Sequence, residues 1–317
     1  MTPGIRIAQV SKSFGKGKIQ ALQNISLDIE KGEIFGFLGP NGAGKTTLIR
    51  IMVTLLTPTK GTVLINNFDV KKQPHKVREL IGYAGQDTER SLNYRLSGIE
   101  NAIQFGWLRG ISRKTSIERT KKMAEQLNMT KKLDRHFIVL SGGEKQAFVI
   151  IRALLSQPKF AVLDEPSKSL DPLSSKRARN LLRNYRKETE ATLILTSHNL
   201  PELEELCDRI ALIHQGKLAF VGSPQEIKKQ VEQRSIIEIK GLIIPQDALK
   251  ELEQIGEVIY DEKNFRTRII CDEPYKGLIK AAEIVQRLKT KHSKPLLGLV
   301  EPSMEEAFEY IVTGGNN

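Results

Sequence analysis

The stretch Gly39-Pro40-Asn41-Gly42-Ala43-Gly44-Lys45-Thr46 fits the pattern GxxxxGK[ST], and its neighbours supply the context that pattern requires. Before it, Glu33 to Leu38 reads as a short apolar strand. After it, Leu48, Ile51, Met52, Leu55 and Leu56 recur at three- and four-residue spacing until Pro58 ends the run, the mark of an amphipathic helix. The order is strand, glycine loop, helix. Glycines allow successive backbone N–H groups to curl around an anion, and the helix start adds positive potential. The Lys45 ammonium can reach terminal phosphates, and the Thr46 hydroxyl can sit on magnesium. Gly39, Pro40, Asn41, Gly42, Ala43, Gly44, Lys45, Thr46 and Thr47 are therefore the expected phosphate-binding residues.

Further along, Phe160-Ala161-Val162-Leu163-Asp164-Glu165 is an apolar strand ending in two acids. In an α/β sheet that arrangement delivers both carboxylates to the carboxyl edge, where ligands bind. Asp164 is the expected magnesium ligand, directly or through water, and Glu165 the group that polarises an attacking water. A run of hydrophobic residues followed by Asp-Glu is common by itself; the glycine loop upstream gives it meaning. Between the two lies Leu140-Ser141-Gly142-Gly143-Glu144-Lys145-Gln146. Ser141 and Glu144 have capping-box spacing, so a helix starts here, and Gly142 and Gly143 leave its first N–H groups open to a phosphate.

With these three motifs in this order, residues 1 to 225 resemble an ATP-binding-cassette (ABC) ATPase, and Ser141-Gly142-Gly143 resembles that family's signature. The resemblance implies an α/β P-loop NTPase fold of the ABC type with a helical subdomain, ATP and magnesium as ligands, and ATP hydrolysis as the activity. It also implies a head-to-tail dimer, because in the family the signature of one subunit completes the ATP site of the other. Other positions carry over one by one. Phe14 occupies the place of an aromatic that stacks on adenine. Gln86 resembles the glutamine that senses magnesium and the γ-phosphate. His198, in Thr196-Ser197-His198, resembles the switch histidine at the γ-phosphate, so that Glu165, His198 and Lys45 form the expected catalytic set. Asp171, in Ser169-Leu170-Asp171-Pro172, resembles the loop that communicates across the dimer. Two positions depart from the family: Ala147 stands where many members carry Arg, and Ser169 where many carry Gly.

Gln86 to Asn101, and the tail Glu301-Pro302-Ser303-Met304-Glu305-Glu306-Ala307-Phe308, are similar to segments of the ATPase subunits of ABC-2 type exporters of the daunorubicin-resistance group. That likeness implies a separate integral-membrane permease as partner and a place at the inner, cytoplasmic face of the membrane. Nucleic-acid-associated branches of the superfamily usually carry two fused cassettes or a long coiled-coil insert. This chain reads as one cassette with a short insert, so no nucleic-acid partner is expected. A regulatory protein that holds ATP without turnover is the other alternative, and the presence of both Glu165 and His198 speaks against it.

Bulk properties agree with an intracellular enzyme. The 317 residues are 39% hydrophobic and 27% charged, enough apolar material for one large or two ordinary domains. Cys207 and Cys271 are the two cysteines, far apart and without metal-ligand spacing. No stretch approaches the roughly 18 apolar residues of a membrane span, and the start lacks a signal-peptide pattern. Charge is uneven: residues 1–225 hold 35 basic and 21 acidic residues, whereas 226–317 hold 14 and 16. Together with the break at Gly222-Ser223-Pro224, this sets the expected domains at 1–229 and 230–317. The second, with its strand-helix-strand-strand-helix-strand order, is expected to be a small ferredoxin-like α+β domain that assists dimerisation. A last amphipathic helix is expected over Ser303 to Ile311.

Overall fold

The structure, a computed structural model, describes residues 3–15, 17–85, 92–229, 235–262, 264–271, 273–289, 294–300, 306–308 and 311. Gln86 lies outside the described residues, as does most of the expected terminal helix. The chain divides into two compact units, Met1–Pro224 and Gln225–Asn317.

In the first unit, β1 (Ile5–Phe14) and β2 (Ile19–Ile29) form an antiparallel hairpin, followed by the buried strand β3 (Ile34–Leu38) and helix α1 (Lys45–Met52). Then come β4 (Lys60–Ile65), β5 (Phe68–Asp69), α2 (Pro74–Leu80) and β6 (Ile81–Ala84), in a stretch whose sequence pattern assigns nothing. Helices α3 (Gly98–Leu108) and α4 (Arg113–Gln126) pack together, and α5 (Gly142–Leu154) leads into β7 (Phe160–Asp164). The long helix α6 (Pro172–Thr189), β8 (Thr192–Ser197), α7 (Leu200–Leu206), β9 (Arg209–His214) and β10 (Lys217–Gly222) complete the unit. Helix α8 (Pro224–Lys229) follows.

Two sheets result. One is antiparallel, in the order β2-β1-β4-β5; the other runs β10-β9-β3-β8-β7-β6, parallel from β9 to β6 with β10 antiparallel at the edge. Strands buried on both faces are needed for a parallel sheet covered by helices. β3, β7 and β8 are buried at every residue. Their apolar core joins Ile5, Ile7 and Val63 of the antiparallel sheet to Phe35, Phe37 and Val162 of the parallel one, with Leu48, Ile49 and Met52 of α1 between. Because β3, β7 and β8 are adjacent and parallel, with Leu38 opposite Ser197 and Asp164 opposite Thr196, their carboxyl ends leave the sheet at one edge. The fold thereby gathers three distant motifs.

In the second unit β11 (Ser235–Lys240), α9 (Gln246–Glu253), β12 (Glu257–Asp261), β13 (Arg266–Cys271), α10 (Pro274–Leu288) and β14 (Leu296–Val300) follow in order. The sheet order β12-β13-β11-β14, with every pair antiparallel, is that of a split βαβ pair, the ferredoxin-like arrangement. Ile237, Ile239 and Ile269 of the sheet pack with Ala248, Leu252, Ala281 and Ile284 of the two helices. On the strand positions that alternate with this core, Glu238 accepts from Arg266 and Arg268, the latter at 2.9 Å, and pairs with Lys240 at 2.5 Å. Arg268 also pairs with Glu306 at 2.6 Å.

Candidate nucleotide site

The loop after β3 can take its shape only with glycine at particular positions. Gly44 has φ 111°, and a Cβ there would lie 2.6 Å from the Ala21 carbonyl oxygen; at Gly39 it would lie 2.1 Å from that of Ile213. Neither approach admits a side chain. The turn is held from inside by Ala43 N–H donating to Pro40 O (3.2 Å) and from the β9–β10 turn by Gly216 N–H donating to Ala43 O (3.0 Å). Gly44 caps α1 without any side-chain hydrogen bond, so the first N–H groups of the helix are offered to a ligand rather than to a capping side chain. Pro40, Asn41 and Gly42 are exposed at the rim, while Thr46 and Thr47 are half-buried in the first turn.

Lys45 is buried, and its ammonium donates to Gly39 O (2.5 Å) and Pro40 O (3.0 Å). Burial pulls its pKa down, and the nearby Glu165 and Asp164 carboxylates oppose that shift. A cation thus sits at the loop mouth, held by carbonyls that a phosphate oxygen can replace.

Asp164 is 3% exposed and receives the Thr196 hydroxyl on Oδ1, with the Thr46 hydroxyl at 3.4 Å from the same oxygen. Its Oδ2 is buried and has no hydrogen-bond partner among the described residues. A buried carboxylate oxygen left in this condition is costly unless something else meets it. The hard-oxygen set of Thr46 hydroxyl, Asp164 carboxylate and substrate phosphate suits magnesium, which favours oxygen ligands and retained waters. No group of three or more His, Cys, Asp and Glu among the described residues could hold a metal by itself.

Glu165 is next. Its φ of 53° places a non-glycine residue in the left-handed region. Its N–H holds it there by donating to both Thr196 O (3.1 Å) and Thr196 Oγ1 (2.9 Å). Such strain persists only where surrounding bonds over-determine it, and it concentrates at functional sites. The Glu165 carboxylate is 9% exposed and lies 3.2 Å from Nδ1 of His198, whose side chain is 63% exposed. Lys45, Thr46, Asp164, Glu165 and His198 therefore meet at one sheet edge. Thr196 joins them, although as the last residue of an apolar run it gives no sequence signal beyond a hydroxyl in a buried strand.

Ser141 and Glu144 make the expected reciprocal cap on α5: Glu144 N–H donates to Ser141 Oγ (3.2 Å), and Ser141 N–H to Glu144 Oε2 (2.9 Å). This mouth opens on a cavity of about 300 Å³ lined by Ser141, Gly143, Glu144, Asp171, Ser174 and Arg177, among others. None of Lys45, Asp164, Glu165 or His198 lines it. Glu165 and His198 instead line a separate cavity of about 470 Å³. Asp171 caps α6, its Oδ1 accepting from the N–H groups of Leu173 and Ser174 at 3.0 Å. Ser169 has φ 67°, a conformation in which the glycine of other members is unstrained, and Ala147 is buried in α5. Phe14, at the end of β1, is 38% exposed with the Lys12 ammonium 5.1 Å from its ring centroid. With Lys12 over one face of the ring, the other face is the one open to a flat base.

The geometry is that of an anion cradle beside paired carboxylates and an imidazole. Residues 22–168 match the ABC transporter family model. The chain is 37% identical over 246 residues to the doxorubicin resistance ATP-binding protein DrrA of Mycobacterium tuberculosis, covering 78% of this chain and 72% of that one. It is 28% identical over 309 residues to the linearmycin resistance ATP-binding protein LnrL of Bacillus subtilis, covering 96% of each. Among solved structures it resembles a dimeric, post-hydrolysis ATP-binding cassette bound to ADP and phosphate, with a TM-score of 0.61 at 28% identity over 69% of this chain and 98% of that one. The strand, loop and helix around Lys45, the paired acids after β7 and the extended similarity to DrrA have one reading: this chain belongs to the ABC transporter family and is one of its ATP-binding, ATP-hydrolysing cassettes.

Proposed function

We propose that the chain is the motor subunit of an ABC-2 type exporter, working as a head-to-tail dimer against a separate integral-membrane permease at the cytoplasmic face. The observation that carries the dimer is the separation of two half-sites within one chain. The capped mouth at Ser141 lines one cavity, and Glu165 and His198 of the catalytic edge line another. A nucleotide lying on Gly39 to Thr47 would meet Ser141, Gly142 and Gly143 only from a second copy.

In this reading Lys45 binds the terminal phosphates, Phe14 stacks on adenine, and Gln86 contacts the γ-phosphate and its metal. Glu165 orients and polarises the attacking water, while His198 holds the γ-phosphate at the same edge. Asp171, at the start of α6, communicates between subunits. Magnesium, held by Thr46 and Asp164, would neutralise phosphate charge.

The exporter assignment is supported by the likeness to DrrA and LnrL, whose names attach them to doxorubicin and linearmycin resistance. No helix among the described residues is long and apolar enough to cross a membrane, so a translocation path would have to come from another chain.

The test of shared sites uses two inactive variants. Lys45→Ala should lose most nucleotide affinity, and Ser141→Arg should retain it but not hydrolyse ATP. Mixing them should restore activity, with a dependence on mixing ratio that follows one intact composite site per mixed dimer. Demonstrated mixed dimers with no recovered ATPase would refute the reading. Co-purification with a polytopic permease encoded beside this chain, and its loss of transport when Glu165 is changed, would test the exporter half.

A further inference from the structure

Helix α7 begins at Leu200, after His198 and the capping Asn199, and carries three acids, Glu202 in its first turn and then Glu204 and Glu205. They are not equivalent. Glu205 lies at the surface and pairs with Arg179 (2.8 Å) and Arg183 (3.1 Å). Glu202 is only 5% exposed, and among the described residues no Lys or Arg forms an ion pair with it. A carboxylate taken out of water without a counter-ion costs several kcal/mol unless hydrogen bonds compensate. Glu202 obtains them from two serine hydroxyls. Ser167 Oγ donates to Oε1 in a short contact, and Ser197 Oγ donates to Oε2 at 2.8 Å.

The positions of the two serines give the arrangement its meaning. Ser167 lies two residues after Glu165, and Ser197 immediately precedes His198. The ladder between β7 and β8 ends at Asp164 opposite Thr196, so beyond it the two segments have no pairing with each other to keep them in register. Glu202 bridges them at that point. Its own placement is fixed, because Glu202 N–H donates to Asn199 Oδ1 (3.1 Å) and Asn199 N–H donates to Ser197 Oγ (3.0 Å). The loop after β7 has a second anchor in Gln146, whose amide donates to Pro166 O (3.2 Å). Ser197 is itself the last residue of β8, paired with Leu38 of β3, so the bridge ties the loop after β7 to the end of that strand. Glu202, Ser167 and Ser197 line the same 470 Å³ cavity as Glu165 and His198.

We infer that Glu202 is a positioning residue for hydrolysis: its buried carboxylate ties Ser167, in the loop after β7, to Ser197 at the end of β8, so that Glu165 and His198 are held at hydrogen-bonding distance. Its effect passes through the two serines. The inference rests on the assignment of Glu165 and His198 to the hydrolytic edge. It adds a residue whose type and spacing in the sequence read as an ordinary helix acid.

Loss of the clamp should act on the chemical step and spare binding. Small misplacements of reacting groups cost on the order of 100-fold in rate, so Glu202→Ala should lower kcat by roughly 10- to 100-fold while KM for ATP and the affinity for a non-hydrolysable ATP analogue stay within about twofold. Glu202→Gln keeps an acceptor for one serine and a donor for the other. It should recover turnover to within about threefold of the parent, because the bridge needs two bonds rather than a charge. Ser167→Ala with Ser197→Ala should reproduce the Glu202→Ala loss, and the triple variant should be no worse. The serine pair also serves as the test should Glu202→Ala fail to fold.

Steady-state ATPase of the full chain, with Glu165→Gln as reference, separates the possible failures. If Glu165→Gln turns over normally, the hydrolytic edge is wrongly assigned and the inference falls with it. If Glu165→Gln is inactive but Glu202→Ala and the serine pair keep the parental kcat, the clamp alone is refuted. Equal loss of kcat, analogue affinity and thermal stability in both would also overturn it, by making Glu202 a general structural residue.

Discussion

Replacing Thr196 by valine tests whether the strained backbone at Glu165 is held by one hydroxyl. Thr196 is fully buried, and Val has nearly its shape, so packing changes little. What disappears is a donor to Asp164 Oδ1 and an acceptor, at 2.9 Å, for Glu165 N–H. The first bond goes to a carboxylate and is worth about 1.5–3 kcal/mol. The second is partly replaced, since Glu165 N–H keeps the Thr196 carbonyl at 3.1 Å, and its loss costs under about 1 kcal/mol. A total of about 1.5–4 kcal/mol follows. For a unit the size of Met1–Pro224, that corresponds to a fall in Tm of roughly 3–16 °C. Turnover should fall further than stability alone explains, because Glu165 at φ 53° is freed to relax toward ordinary backbone, and a conformation of that kind stores about 1–3 kcal/mol. Calorimetry and steady-state ATPase at saturating ATP, below the melting range, measure the two effects. A Tm within 1 °C of the parent together with parental kcat would refute the argument that this hydroxyl holds both acids.

Glu165→Gln should bind ATP, nearly abolish hydrolysis and accumulate an ATP-stabilised dimer, read by light scattering with and without nucleotide; near-normal turnover would exclude Glu165 as the group that polarises water. In the second unit, burial alone would raise the Glu238 carboxyl from 4.5, but Lys240, Arg268 and Arg266 donate to it and bring it down to about 2. A depressed carboxylate stabilises the fold above its unfolded value and loses that contribution as pH falls toward the folded one, so this unit should weaken between about pH 4.5 and 2, and Glu238→Ala should destabilise it by about 1–3 kcal/mol at pH 7, since Arg268 keeps Glu306 and Arg266 is 37% exposed to water. Circular dichroism melts across that range check both, and a variant as stable as the parent would contradict the ion cluster's role. Truncation after Gln230 should leave ATP affinity and high-concentration turnover within a few-fold while weakening subunit association; a folded truncation that is inactive at saturating protein and ATP would show that the second unit completes the catalytic site.

The elements legible in the sequence are those whose own pattern is decisive. β3, β7 and β8 read as unbroken apolar runs because the parallel sheet covers both faces. Helix α1 shows its period because one face packs into the core between the sheets. The stretch from Lys60 to Ala84 gives no such signal. β6 is Ile-Gly-Tyr-Ala, four residues with a glycine inside, and it is a strand because the β7 edge pairs with it. β5 is two residues long and exists through its pairing with β4. Helix α6 does carry an amphipathic stripe, with Ala178, Leu181, Leu182 and Tyr185 at i, i+3, i+4 and i+7, but it is narrow, these four being the buried ones of its 18 residues.

The same distinction divides the site. Gly44, Lys45, Asp164 and Glu165 are legible because their residue types answer a local demand, for a backbone without Cβ, a cation, or an acid at a strand end. Thr196 and Glu202 matter through partners 32 and 35 residues away in sequence, Asp164 and Ser167, and that relation does not exist until β7 and β8 are paired. In the chain Glu202 stands in a run of helix acids indistinguishable from Glu205. Only the fold turns one toward arginines at the surface and the other toward the hydroxyls of Ser167 and Ser197. The phosphate-binding part of the site is therefore legible from local residue types, although Ala21, Ile213 and Gly216 of other elements press on the loop and hold it. The geometry that converts binding into hydrolysis is encoded across strands, which is why variants at Thr196 and Glu202 should separate kcat from affinity where variants at Lys45 cannot.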